Sequence, residues 1–422
     1  LARVIEHSID PTDADERLRV VRLCLQAERF DDARQGLDGV LRDFPDLAGL
    51  ATERDGLANL MNARLLDEIR LRGRVGQDRL AMRLLENFPA EHASGEILEE
   101  IREERDRYRA AQTRAQRLVA TLAERTAQLG DAGDREQAEA IVAEIRQQMT
   151  FATLERLATF ERLGLDPSMP IDRAAAIGIS GWVQGAATAT DNLKLALSMA
   201  RVRDLLADYL RAEDQARRME LRRRLGDEEA FDATTVAGIA RLMRPPVAPP
   251  AEQAPGLFTL EVPGLEGQAG TTCLVQLPSE YDPLRSYPAV VSLHASWSTP
   301  LNQIEWWAGM PGPDGVRRGQ ADRHGTIVIA PQWTRAGQAA YEYSAREHAA
   351  VLNAVRAAVK RFAIDPDRIF LSGHSAGGDA AWDIALAHPD LWAGLVAVAP
   401  AAGKYVAHYW RNAESLPLYL VG

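Results

Sequence analysis

Ile364-Asp-Pro-Asp-Arg-Ile-Phe-Leu-Ser-Gly-His-Ser-Ala-Gly-Gly378 is the stretch from which the rest of the chain can be read. Its apolar run, Ile369-Phe-Leu371, reads as a buried strand, and Gly377 to His388 reads as the helix that follows. Between them stands Gly373-His374-Ser375-Ala376-Gly377, a Gly-x-Ser-x-Gly pattern. A serine on so sharp a strand-to-helix turn projects its hydroxyl above the sheet edge. Residues two before and two after it then approach too closely for side chains, so both must be glycine. The helix behind the serine aims its N-terminal dipole and free amides at that hydroxyl, favouring negative charge there.

The flanking sequence alternates strand and helix. Phe258 to Val262 and Thr271 to Leu277 read as two antiparallel leading strands, and Pro288 to His294 and Thr326 to Ala330 as fully buried ones. Ser344 to Phe362 is a helix that opens with a capping box, Ser344 and Glu347, and carries the apolar stripe Val351, Leu352, Val355, Ala358, Val359 and Phe362. Leu395 to Ala399 is a further strand, and Leu416 to Val421 begins another. Residues 257–422 therefore predict an α/β domain with a mostly parallel, doubly wound sheet, incomplete at its C-terminus.

Ahead of it the texture differs. Pro245, Pro246, Pro249, Pro250 and Pro255 crowd a stretch that can be neither helix nor central strand, so residues 245–256 read as a semi-rigid linker. Residues 1–244 show almost no strand signal and repeat apolar positions three and four apart, which predicts an all-α region. Leu25-Gln-Ala-Glu-Arg-Phe-Asp-Asp-Ala33, Asp43-Phe-Pro45, Asn87-Phe-Pro89 and Ala132-Gly-Asp-Arg-Glu-Gln-Ala138 resemble the phrases of tetratricopeptide hairpins at irregular intervals. This is a degenerate helical-hairpin array, read either as a packed stack of helices or as a surface for a protein partner. Thr188 to Leu210 reads as a helix buried on a broad face.

The run from Ile364 to Gly378, continued by Ala387-His-Pro-Asp-Leu-Trp392, resembles the α/β-hydrolase superfamily. Within it the sequence looks most like bacterial esterases and peptidases related to prolyl oligopeptidases, dienelactone hydrolases, and feruloyl or polyhydroxybutyrate esterases. The resemblance implies Ser375 as catalytic nucleophile, on an elbow shaped by Gly373 and Gly377. It also implies an oxyanion hole from the backbone amides of Ala376 and Ser296, the latter in the loop Leu293-His-Ala-Ser-Trp297. Ala295 stands where such families usually carry glycine. Trp297 and His408 are candidate substrate contacts, and Trp306 and Trp307 line a pocket or pack helices.

A serine hydroxyl needs a histidine to take its proton and a carboxylate to orient that histidine. In this superfamily the order is Ser, Asp/Glu, His, with the acid after the strand that begins near Leu416. The triad Asp and His are therefore expected beyond Gly422, in a longer protein than this 422-residue chain, which would itself be inactive or nearly so. His294, His324, His348, His374 and His388 read as structural or surface residues. Glu414 is a weak stand-in for the acid, and Asp379 and Asp383 receive no role.

Composition narrows the partners. A net charge of −11 argues against nucleic acid, and the arginines are interleaved with acids rather than massed on one face. Only Lys194, Lys360 and Lys404 are lysines among 49 basic residues. Cys24 and Cys273 fall in different regions, so neither a disulfide framework nor a cysteine metal site is indicated. Ile177 to Thr190 is the longest weakly charged stretch and is too short to span a bilayer. The chain starts at Leu1 rather than Met, which reads as an incomplete N-terminus and leaves the compartment, cytoplasmic or exported, open. The leading expectation is a serine hydrolase acting on a small carboxylic ester without metal or organic cofactor. The alternatives are a peptidase of the prolyl-oligopeptidase type, and a helical scaffold carrying an inactive hydrolase domain.

Overall fold

The computed structural model describes residues 9–90, 93–401, 403–404 and 406–422, and Leu1 lies outside them. The chain divides into two compact units, Leu1–Arg74 with Asp78–Ala110, and Val75–Gln77 with Ala111–Gly422. The proline-rich stretch 245–256 lies inside the second unit. It contains no helix and no full strand, and its Val247 amide donates to the Lys360 carbonyl.

The first unit is helical. Helices Ala14–Gln26 and Phe30–Asp43 form a hairpin whose turn falls within the quoted phrase Leu25 to Ala33. Asp13 starts the first helix by accepting from the Asp15 and Glu16 amides. Val21, Cys24, Ala33, Leu37 and Leu57 close its core, with Leu57 supplied by helix Ala51–Arg74. Cys24 and Cys273 are both buried.

The second unit joins the C-terminal part of helix Gly95–Ala127 and helices Ala132–Gln148, Ile171–Gln184, Leu193–Arg211, Gln215–Gly226 and Ala233–Leu242 to a seven-stranded sheet. Ile171–Gln184 is buried along its length from Ala174, which is why its sequence is nearly free of charge. Its Ile179 and Trp182 pack with Leu122, Ile145, Leu157, Phe160 and Leu197. No described helix is long and apolar enough to cross a membrane. The helix expected from Thr188 starts later, at Leu193. Asn192 holds an extended backbone and accepts from the Leu195 amide, while Thr190 is tied to the Ser180 hydroxyl.

The strands are β1 Leu257–Val262, β2 Thr271–Gln276, β3 Tyr287–Leu293, β4 Ile327–Pro331, β5 Ile364–His374, β6 Gly394–Val398 and β7 Leu418–Val421. Their order in the sheet is β1-β2-β4-β3-β5-β6-β7. The β1–β2 and β2–β4 pairs are antiparallel, and the other neighbours are parallel. An all-α region is thus followed by a mostly parallel, doubly wound sheet, as the sequence predicts. Buried on nearly every residue, β3 and β4 explain the unbroken apolar runs in the sequence. Helix Ala345–Val359 begins at the expected Ser344–Glu347 capping box. β5 begins at Ile364, earlier than its apolar run, because Ile364 pairs with Tyr287 before a register shift. β7 is the outer strand, with Tyr419, Leu420 and Val421 exposed.

Helices and sheet are tied together by Leu284, which packs against the helical core, and by the Thr150 hydroxyl, which donates to Asp282 at 3.0 Å.

Candidate active site

Ser375 links β5 to helix Ala376–Ala387 with φ of 54° and ψ of −122°, a conformation that non-glycine residues rarely hold. The neighbouring strand secures it. The Ser375 amide donates to the Val398 carbonyl at 2.9 Å, and the Asp379 amide donates to the Ser375 carbonyl at 3.0 Å. A Cβ at Gly373 would overlap the Gly377 carbonyl oxygen, and one at Gly377 would overlap the Leu293 carbonyl oxygen. Gly378 is equally confined, since a Cβ there would lie 2.8 Å from the Val398 oxygen. The half-buried Ser375 hydroxyl makes no hydrogen bond among the described residues, leaving it open at the start of the helix.

The close approach at Gly377 brings the β3 end against the elbow. Leu293 pairs with Gly373, so residues 294–297 emerge beside Ser375. Among the described residues, neither the Ala376 amide nor the Ser296 amide donates a hydrogen bond. The Ser296 hydroxyl donates to the Ala339 carbonyl at 2.7 Å, which pins the loop through its side chain. His294 is buried. Its Nδ1 lies 2.9 Å from the Ala295 oxygen, and its carbonyl accepts from Trp333 Nε1 at 3.1 Å.

Two indoles stand over the elbow. Trp297 (77% exposed) meets the His374 ring edge-on at 5.9 Å, and Trp306 (64% exposed) stacks on it at 6.1 Å. Trp307 instead packs inward and donates to the Ser292 hydroxyl at 3.0 Å. His408 is exposed on the short helix Val406–Tyr409, Glu414 is exposed on the turn Trp410–Ser415, and His324 is exposed ahead of β4. No histidine hydrogen-bonds Ser375 among the described residues.

His348, Asp383 and His388, separated in sequence, meet in one network between helices Ala345–Val359 and Ala376–Ala387. The buried Asp383 carboxylate accepts from Tyr341 at 2.7 Å and lies 3.1 Å from His348 Nε2. The other His348 nitrogen, Nδ1, lies 3.2 Å from His388 Nε2. Burial, and next the Asp383 carboxylate, push the Tyr341 hydroxyl up. No local spacing betrays this group, because its members come from two helices and a loop.

Burial lowers His294, and burial followed by the neighbouring His348 lowers His388. The unfolded chain therefore takes up these protons before the folded one does. Stability present above the ordinary histidine range is lost as pH falls through it towards the lowered values. The melting temperature is expected to fall between about pH 7.5 and pH 5.5, and His388→Asn is expected to flatten the slope. A midpoint that stays level or rises on acidification would contradict this assignment.

Residues 315–414 match the prolyl oligopeptidase family. No curated protein matches the chain. Among solved structures, a thermostable esterase shares 21% identity over 39% of this chain and 46% of its own, with a TM-score of 0.29. A fluorophosphonate-binding serine hydrolase of Staphylococcus aureus shares 19% over 34% and 56%, with a TM-score of 0.28. The acylaminoacyl peptidase of Pyrococcus horikoshii shares 14% over 35% and 23%, at 0.25. The chain thus spans about half the length of the first two. The strand order, the strand–turn–helix around Ser375 and the match over residues 315–414 together give the C-terminal part of this chain an α/β-hydrolase fold.

Proposed function

We propose that the protein cleaves a carboxylic ester through an acyl-enzyme formed on Ser375. The observation that carries this reading is the backbone of Ser375, held at positive φ where β5 turns into a helix, with its hydroxyl making no hydrogen bond among the described residues. In this chemistry the serine oxygen attacks the ester carbonyl carbon, and its proton passes to a general base. The carbonyl oxygen becomes an oxyanion held by the amides of Ala376 and Ser296. The alcohol leaves with a proton, and water then releases the acid and restores the serine. The positive end of helix Ala376–Ala387 favours the charge that develops. Trp297 offers an exposed apolar face to the acyl or alcohol part beside the nucleophile, and His408 is a further candidate contact. The prolyl oligopeptidase match over residues 315–414 supports a peptide bond as the second class of substrate.

Fluorophosphonate labelling of the intact protein tests the reading. Label is expected on the wild type, located to Ser375 by peptide mass spectrometry and absent from Ser375→Ala. Folded protein that takes no label, or label that persists in the variant, would refute it. Esters and amides of one acyl group then separate the two substrate classes by kcat/KM.

A further inference from the structure

Arg156 is partly buried where the helical core meets the residues leading into β3. Its guanidinium donates to the Trp182 carbonyl at 3.5 Å and the Leu284 carbonyl at 3.2 Å, and lies 5.2 Å from the centre of the Trp182 ring. Among the described residues no carboxylate forms an ion pair with it. Guanidinium groups taken out of water are ordinarily paired, because the desolvation is repaid only by a counter-charge. Burial pulls Arg156 down to about 10.

The group lines a cavity of about 250 Å³ together with Arg203, Arg211 and Arg244. The two acids of the lining, Glu144 and Asp204, are both held by Arg203, at 2.7 and 2.9 Å. Arg211 is paired with Asp208 at 3.0 Å, and Arg244 is exposed with no ion pair among the described residues. Arg156 and Arg244 are thus the basic groups of the cavity with no ion pair among the described residues, Asp282 and Glu144 acting on Arg156 only through space. Leu242, Met243 and Pro246 supply an apolar wall beside them.

We propose that this cavity binds a small oxyanion, the phosphate or carboxylate group of a compound whose apolar part rests on Leu242, Met243 and Pro246. The planar guanidinium of Arg156 suits two-point recognition of either group. The site is separate from the candidate catalytic serine. Leu284 precedes β3, whereas Ser375 follows the far end of the parallel β5, and the seven residues of β3 span about 20 Å at roughly 3.3 Å each. An anion here would bridge the helices, the proline stretch and the approach to β3, so its binding should stabilise their packing.

Calorimetric titration of the intact protein with inorganic phosphate and, separately, with hexanoate tests the proposal. Saturable binding of one or both is expected, with a matching rise in melting temperature that sodium chloride of equal ionic strength does not reproduce. Which of the two binds identifies the anion. Arg156→Gln should weaken binding by about tenfold or more, the scale of a charge-assisted hydrogen bond. Arg244→Gln breaks no ion pair among the described residues and should weaken it by roughly two- to fivefold, as for an exposed charge. If Arg156→Gln fails to fold, Arg244→Gln decides. Absence of saturable binding for both anions, an equal response to chloride, or wild-type affinity in Arg244→Gln would overturn the proposal.

Discussion

Alanine at Gly373 is expected to destabilise the second unit by about 3 kcal/mol or more and to slow fluorophosphonate labelling by about a hundredfold. The added Cβ would overlap the Gly377 carbonyl oxygen and press on the Gly378 amide at 2.9 Å. All of these contacts are backbone, so no side chain can rotate away. Relief requires the strand–turn–helix to open, which moves the Ser375 hydroxyl relative to the amides of Ala376 and Ser296. A displacement of about 1 Å at such a site costs about two orders of magnitude in rate. Chemical denaturation and labelling kinetics measured on the same preparation separate the two effects. A variant with the wild-type midpoint and labelling rate would mean that the turn is looser than the geometry requires.

Trp333→Ala should cost about 3–5 kcal/mol, the scale for truncating a fully buried aromatic side chain. Trp333 follows β4, is fully buried, and packs against His294 and Tyr341 with ring centres 5.6 and 6.1 Å away. Its indole N–H holds the His294 carbonyl, whose oxygen borders Gly377. The same side chain therefore fills core volume and fixes the loop that presents Ser296. Trp333→Phe separates the roles, since most of the volume stays and only the donor is lost. Its expected cost is about 1–3 kcal/mol for a buried carbonyl left unpaired, with slower labelling. Thermal melts and labelling rates check both variants, and a Trp333→Ala protein as stable as the wild type would disprove the packing argument.

Much of the fold is legible in sequence because its signals are local. A strand buried on both faces must be apolar at successive positions, as β3 and β4 are. A capping box must place its two residues three apart, as Ser344 and Glu347 stand. Gly373 and Gly377 are readable for the same reason, since the turn that demands them is only five residues long. Trp307 shows the limit. Its neighbour Trp306 is exposed over His374 while Trp307 is bonded to Ser292, and adjacent indoles on one helix carry nothing in sequence to tell them apart.

By itself, then, the sequence determined the helical region followed by alternating strands and helices, the sharp turn at Ser375 and the proline-rich stretch, all properties of residues within a few positions of one another. Only the tertiary structure decided what distant segments build. It brought the β3 loop to the elbow through the approach of Leu293 to Gly377, and Tyr341, His348, Asp383 and His388 into one network. It also left Arg156 partly buried between Trp182 and Leu284 with no carboxylate in an ion pair with it among the described residues. Such arrangements depend on how whole elements pack, and burial and pairing exist only once the chain has folded upon itself.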